Sequence, residues 1–198
     1  MTWPALIQTR RSIRRYTDQA VAPEVVERLL AAAVWAPSAH NRQPWRFAVL
    51  ADGAAKDRLA RAMGDQLRAD RLADGDDPAA VVRDAERSYA RLTGAPLVLV
   101  ACLTMRDMDK YPDTRRKKAE YTMAVQSVAM ALQNLLLAAH AEGLGACWMC
   151  APLFCPEVVR KALALPDDWE AQAVITLGYP ADAGKPATRK PPAEVVVR

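Results

Sequence analysis

Histidine is nearly absent from this chain: His40 and His140 are the only two in 198 residues. A structural zinc site draws about four Cys or His ligands together. The cysteine pair Cys147-x-x-Cys150, followed by Cys155, has no histidine near it in sequence. An HExxH helix, a nucleophile elbow and a Walker loop are missing too, so any chemistry points to a cofactor, with protein groups supplying position and electrostatics. A large charge excess is also lacking. The 27 basic and 23 acidic residues are interspersed and leave a formal net charge of +4, with a pI near 9.0. The basic runs 10–15 and 115–118 lack interleaved aromatics or a recognition motif, which argues against a nucleic-acid module. A small anionic ligand accounts for the excess equally well. No long hydrophobic run is unbroken: residues 123–141 are interrupted by Gln126, Ser127, Gln133, Asn134 and His140. That segment is too polar for a bilayer span and reads as a buried helix. The opening Met1-Thr2-Trp3-Pro4 runs into a polar, basic segment rather than an apolar signal core. A cytoplasmic protein with reduced thiols is expected, with neither membrane nor nucleic acid as partner.

What is present is the composition of one globular domain, expected over residues 1–198, with 52% apolar and 25% charged residues. Pro23 suits a first helical turn, and Val26, Leu29, Leu30, Ala33 and Val34 follow at helical spacing. Pro37 ends that helix, leaving 38–43 as a loop. Residues 45–50 read as a strand, and two charged amphipathic helices follow at about 54–72 and 78–92. The continuous apolar run 96–103 fits a fully buried strand. Residues 105–118 show no period, whereas 120–142 are apolar nearly all round, the mark of a helix buried on several sides. Gly143 and Gly145 stop it. A strand at 146–149, a helix at 156–163 and a strand at 171–178 complete the core. The tail is Pro-rich and then extended at 194–197. This order predicts an α+β sandwich rather than a regular βαβ series, and it shows no internal repeat.

Four segments carry candidate chemistry. Arg10, Arg11, Ser12 and Arg14 offer guanidinium groups and a hydroxyl suited to a phosphate. Alone, they fit a solvated basic segment as well. One helix further on stands Pro37-Ser38-Ala39-His40-Asn41-Arg42-Gln43-Pro44-Trp45-Arg46-Phe47. Its small residues let backbone approach a flat ring, and its amides both donate and accept at a polar ring edge; a plain polar loop has the same composition. Paired, the two segments describe a pocket for a phosphorylated heteroaromatic cofactor. The third segment is Gly143-Leu144-Gly145-Ala146-Cys147-Trp148-Met149-Cys150-Ala151-Pro152, a helix stop followed by a strand. Here packing is the simplest role for the cysteines. The fourth is Arg189-Lys190, a basic pair before Pro191-Pro192.

These segments resemble the FMN-dependent nitroreductase family, whose order is Arg-Arg/His-Ser-x-Arg/Lys, a helix, then Pro-Ser-x-x-Asn-x-Gln-Pro-Trp. The resemblance implies a nitroreductase-like sandwich with a mostly antiparallel central sheet flanked by helices, in a domain-swapped homodimer whose tail extends over the other subunit. It implies FMN contacts from Arg10, Arg11, Ser12 and Arg14 at the phosphate or pyrimidine edge. Pro37, Ser38, Ala39, His40, Asn41 and Gln43 would pack on the flavin across the dimer interface. Backbone N–H groups at Met149, Cys150 and Ala151 would face flavin N(5), and Arg189 or Lys190 would close over the phosphate. No side chain is expected to act as a catalytic group and no metal is expected. The implied activity is electron transfer from NAD(P)H through FMN to a small organic acceptor in two alternating half-reactions. The string 36–45 also resembles the flavin domain of enzymes that complete deazaflavin-coenzyme biosynthesis by reducing an unsaturated precursor. A non-catalytic flavin-binding protein shares the binding residues. No residue points to the branch that consumes FMN to make dimethylbenzimidazole.

Overall fold

The computed structural model describes residues 2–197. In chain order its elements are α1 (Trp3–Thr9), α2 (Pro23–Val34), β1 (Trp45–Leu50), α3 (Gly53–Ala73), α4 (Pro78–Thr93) and β2 (Leu97–Leu103). They continue with α5 (Thr114–Ala141), β3 (Gly145–Met149), α6 (Pro156–Ala162) and β4 (Glu170–Gly178). The four strands form one sheet in the order β1-β2-β4-β3, antiparallel throughout. The fold is the expected α+β sandwich with helices on both faces of the sheet.

Strand periodicity explains the two layers. On β2, Leu97, Leu99, Ala101 and Leu103 pack with α2 and α5, around Leu29, Leu132 and Leu135. The alternate residues Val98, Val100 and Cys102 pack on the other face with α3, α4 and α6, around Leu59, Leu92 and Val159. Every residue of β2 is therefore buried, as its unbroken apolar run requires. On β4 the alternation slips once. Ala101 faces Ala173 while Cys102 faces Ala171, so Gln172 is the extra residue of a bulge.

Aspartates set three helix starts. Asp52, Asp77 and Asp113 each accept from backbone N–H groups of the first turn of α3, α4 and α5. The cap at Asp113 corrects one expectation, because α5 begins at Thr114 rather than near residue 120. Its first six residues are charged or small and exposed, so burial leaves no period on them. By length and composition alone α5 is apolar enough to cross a membrane, with a best-window mean hydropathy of 1.4. In the fold it is a core helix, packed on α2 and on three strands.

Two further expectations are corrected at the chain ends. Residues 3–9, for which no element was expected, form a helix with Pro4 in its first turn. The tail forms a short 3₁₀ turn, Pro192–Glu194, and Val195, Val196 and Val197 follow without a strand partner among the described residues. A strand needs a neighbour to accept and donate its ladder bonds, and valine composition alone cannot supply one.

Candidate functional site

The arginine-rich segment is laid against the sheet edge by backbone pairing. Ser12 bridges Ala146 in parallel, and Ile13 N donates to Ala146 O at 3.0 Å. Tyr16 bridges Pro180 on the other side, and Thr17 N donates to Tyr179 O at 2.9 Å. The Tyr16 hydroxyl anchors this segment from beneath, at 2.6 Å from Ile13 O and 2.8 Å from Thr176 Oγ1. Burial pushes its phenol far above the ordinary range, so it stays neutral. Both glycines of Gly143-Leu144-Gly145 have a local reason. Gly143 sits at φ +79° where α5 stops, and a Cβ on Gly145 would lie 2.7 Å from Ile13.

Arg10 and Arg11, both half-buried, line a cleft of about 370 Å³ with Thr9, His140, Gly145 and Asp182. Ser12 and Arg14 are exposed and do not line it. Arg14 lies close enough to Cys147 in β3 to oppose the upward push that burial exerts on that thiol. Arg15 pairs with Asp182 at 2.7 Å. Among the described residues, no carboxylate lies within ion-pair distance of Arg10, Arg11 or Arg14. Beyond the end of β3, Cys150 and Ala151 are exposed at the start of a 3₁₀ turn, while Met149 is half-buried against the α3 side of the core. Cys147 and Cys155 are buried, and all four cysteines are free thiols.

The Pro37–Pro44 loop is held by its own serine and by α5. Ser38 Oγ accepts from Gln43 N at 3.0 Å, and Ala39 N donates to Ser127 Oγ at 3.2 Å. His40, Asn41 and Gln43 all adopt left-handed backbone, at φ +49°, +53° and +50°. Each such residue costs on the order of 1–3 kcal/mol, and such strain clusters at binding sites. All three side chains are exposed. Behind the loop, Arg42 pairs with Asp109, and Asp109 N donates at 3.0 Å to Glu120 Oε1 on α5. Glu120 is 1% exposed, and its Oε2 has no hydrogen-bond partner among the described residues.

Within one chain these segments do not all meet. The Ser38 loop docks on the middle of α5, at Ser127, whereas the Arg10 cleft includes His140 in its last turn. Those positions are thirteen residues apart on one helix, roughly 20 Å at 1.5 Å per residue. The chain joins the segment of Arg10, Arg11, Ser12 and Arg14 to β3. Pro37, Ser38, Ala39, His40, Asn41 and Gln43 form a separate surface. Arg189, which donates to Thr188 O at 2.7 Å, and Lys190 lie on an exposed tail. Sequence reasoning passed over Tyr16, Asp109, Glu120 and His140. The last two are single polar residues in an apolar helix, and periodicity does not distinguish them from its solvated face.

The family model described as "Nitroreductase family" matches residues 7–179. A protein of Archaeoglobus fulgidus, named as a candidate NADH dehydrogenase/NAD(P)H nitroreductase, is 31% identical over 182 residues, covering 89% of this chain and 84% of that one. The 5,6-dimethylbenzimidazole synthase of Rhodospirillum rubrum is 35% identical over 188 residues, covering 89% of this chain and 81% of the synthase. Among solved structures, a candidate nitroreductase of Desulfovibrio desulfuricans in complex with FMN superposes with a TM-score of 0.75 at 32% identity. That match covers 98% of this chain and 95% of the other. With the shared fold and both motif segments in place, this chain belongs to the nitroreductase family.

Proposed function

We propose that the chain is a single-domain, FMN-dependent oxidoreductase that takes electrons from NAD(P)H and passes them to a small organic acceptor, such as a nitroaromatic, a quinone or a conjugated alkene. The carrying observation is an electrostatic contrast: Arg15 is neutralised by Asp182, whereas Arg10, Arg11 and Arg14 have no acidic partner among the described residues. Two uncompensated guanidinium groups lining a cleft, Arg10 and Arg11, with a third, Arg14, at Cys147 of the adjoining strand, favour an anion, and planar guanidinium matches phosphate oxygens in pairs. A flavin mononucleotide fits this donor set. Arg10 and Arg11 would hold its phosphate, with a bond added by the Ser12 hydroxyl, and Arg14 would sit toward the pyrimidine edge. The backbone N–H groups of Cys150 and Ala151 would orient the flavin and polarise N(5). When bound, FMN supplies the hydride acceptance and electron return that no side chain here provides. Donor and acceptor would use one space in turn, which gives ping-pong kinetics.

The Pro37–Pro44 loop lies too far along α5 to reach the Arg10 cleft of its own chain, so a second copy would supply it. A homodimer with two shared sites follows. Exposed apolar side chains support such an interface: Trp35 is 85% and Phe154 84% exposed. Arg189 or Lys190 would close over the phosphate as the tail crosses to the other subunit. A cytoplasmic location fits this chemistry.

Purified protein should be yellow, and heat-released flavin should run as FMN. Anaerobic NADH or NADPH should bleach it, and an added acceptor should restore the colour. No flavin after reconstitution would sink the reading, and a yellow protein that neither nucleotide bleaches is a flavin carrier. Reduction of an unsaturated deazaflavin precursor is the same chemistry with a conjugated alkene as acceptor, and it belongs in the acceptor panel. The 35% identity to a dimethylbenzimidazole synthase favours one second reading. Loss of the flavin itself under NADH and air, with that product formed, would support it.

A further inference from the structure

The Arg10 cleft holds one titratable side chain that the flavin reading leaves unused. His140 stands in the last turn of α5 and lines the cleft with Arg10 and Arg11. Its ring is fixed by Thr9. The Thr9 hydroxyl lies 2.7 Å from Ala5 O and 2.8 Å from His140 Nε2; with its proton directed at Ala5 O, its oxygen accepts from Nε2–H. A hydroxyl has one proton to give. In that arrangement Nε2 carries a hydrogen in either charge state, and Nδ1 is the atom that titrates.

The charges around the ring are few. Arg10 and Arg11 face it from the first segment, and α1 and the start of β3 bring no charged side chain. Asp182 lines the same cleft but is engaged by Arg15, and Glu142 at the end of α5 is engaged by Arg28 at 2.7 Å. Burial first, then Arg10 and Arg11, hold His140 below the usual imidazole range. The ring is thus neutral near pH 7 while the cleft is empty of anion, and those same neighbours reverse their effect once a phosphate neutralises them.

We propose that His140 is a further anion-binding side chain of this cleft, taking up a proton at Nδ1 as the phosphate monoester of FMN enters beside Arg10 and Arg11. This rests on the flavin reading above. The sign follows from linkage. A group whose pKa is higher in the bound state adds affinity that is fully present below its free pKa and is lost as pH rises through its bound pKa. Each unit of difference is worth about tenfold in Kd. The phosphate's own second ionisation, near pH 6, acts in the opposite direction, so wild type must be compared with His140→Asn.

The experiment is a proton NMR titration of the two histidine rings between pH 5 and 8.5, with His140→Asn and His40→Asn assigning the signals. It is run on apoprotein, with FMN, with riboflavin and with inorganic phosphate. FMN should raise the His140 pKa by about one unit or more, with a matching tenfold change in Kd that His140→Asn abolishes, while riboflavin should leave it in place. An unchanged His140 titration with FMN bound overturns the proposal, as does an equal shift with riboflavin. A shift with inorganic phosphate but not with bound FMN overturns the assignment to the flavin. If FMN fails to bind at all, the oxidoreductase reading falls, and the phosphate arm still decides whether His140 serves an anion site.

Discussion

Gly145 and Ile13 touch so closely that a single methyl group separates the native packing from a clash. A Cβ on Gly145 would lie 2.7 Å from the Ile13 Cβ and Cγ2. This contact is where β3 receives the segment that carries Arg10, Arg11, Ser12 and Arg14. Gly145→Ala should therefore cost about 1–3 kcal/mol by overpacking and should displace the arginines as well. Urea denaturation reads the first effect and flavin affinity the second. A fully stable variant with normal flavin binding would mean that the segment docks more loosely than this contact requires.

The Gln43 position tests the strained loop. Its backbone sits at φ +50°, where glycine is at ease and glutamine is not. Gln43→Gly should leave stability unchanged or raise it by up to about 1 kcal/mol, while flavin affinity falls because the exposed amide is lost. Thermal denaturation of apoprotein and a flavin titration separate the two. If stability and affinity fall together, the side chain holds the loop rather than the ligand.

How much of this was legible from sequence depended on what each residue reports. The alternation of Leu97, Leu99 and Ala101 against Val98 and Val100 follows from an apolar run of strand length, and the Pro23 and Pro37 boundaries follow from ring chemistry. The start of α5 was hidden because its first turns carry no buried face. In one chain the tail is no strand, because Val195, Val196 and Val197 have no ladder partner among the described residues; the partner that the resemblance implies is a second subunit. Both arginine and loop motifs stood out by composition. Their separation along α5 did not, because it depends on which turn of a long helix each segment meets. Glu120 is the clearest case: one carboxylate in a helix is unremarkable until its burial and the unpaired Oε2 are seen.

Thiol chemistry should single out one cysteine. Burial pushes Cys102 up to about 12 and raises Cys147 and Cys155 as well, whereas Cys150 is exposed. An aromatic disulfide reagent at pH 8 should titrate one thiol rapidly in the native protein and four after denaturation. Cys150→Ala should abolish the fast phase. It should leave flavin reduction nearly intact if backbone N–H groups do the polarising, and should abolish reduction if the thiol takes part.

Assembly should be a homodimer at micromolar concentration, because the loop meets α5 at its middle, on Ser127, and the cleft lies at its last turn, by His140. Sedimentation equilibrium tests this directly. A flavin-loaded monomer would sink the shared site while leaving the family and the fold untouched.

Flavin-binding arginines away from N(5), Arg14 toward the pyrimidine edge and Arg189 at the phosphate, should affect binding and leave chemistry alone. Arg14→Ala and Arg189→Ala should each weaken FMN affinity by about 1.5–3 kcal/mol, the worth of a charge-assisted bond. The two are not equivalent in this chain. Arg14 is placed beside β3 by the pairing of Ser12 with Ala146, whereas Arg189 lies on an exposed tail and would need a second subunit to bring it to a phosphate. Loss of affinity in Arg189→Ala should therefore depend on the dimer, and in Arg14→Ala on the fold of one chain. At saturating FMN, stopped-flow reduction by NADH should be little changed in both, since neither group is assigned to N(5). A large fall in the reduction rate of Arg189→Ala under those conditions would place the tail over the reacting ring rather than the phosphate, and Lys190 would become the candidate for the anion.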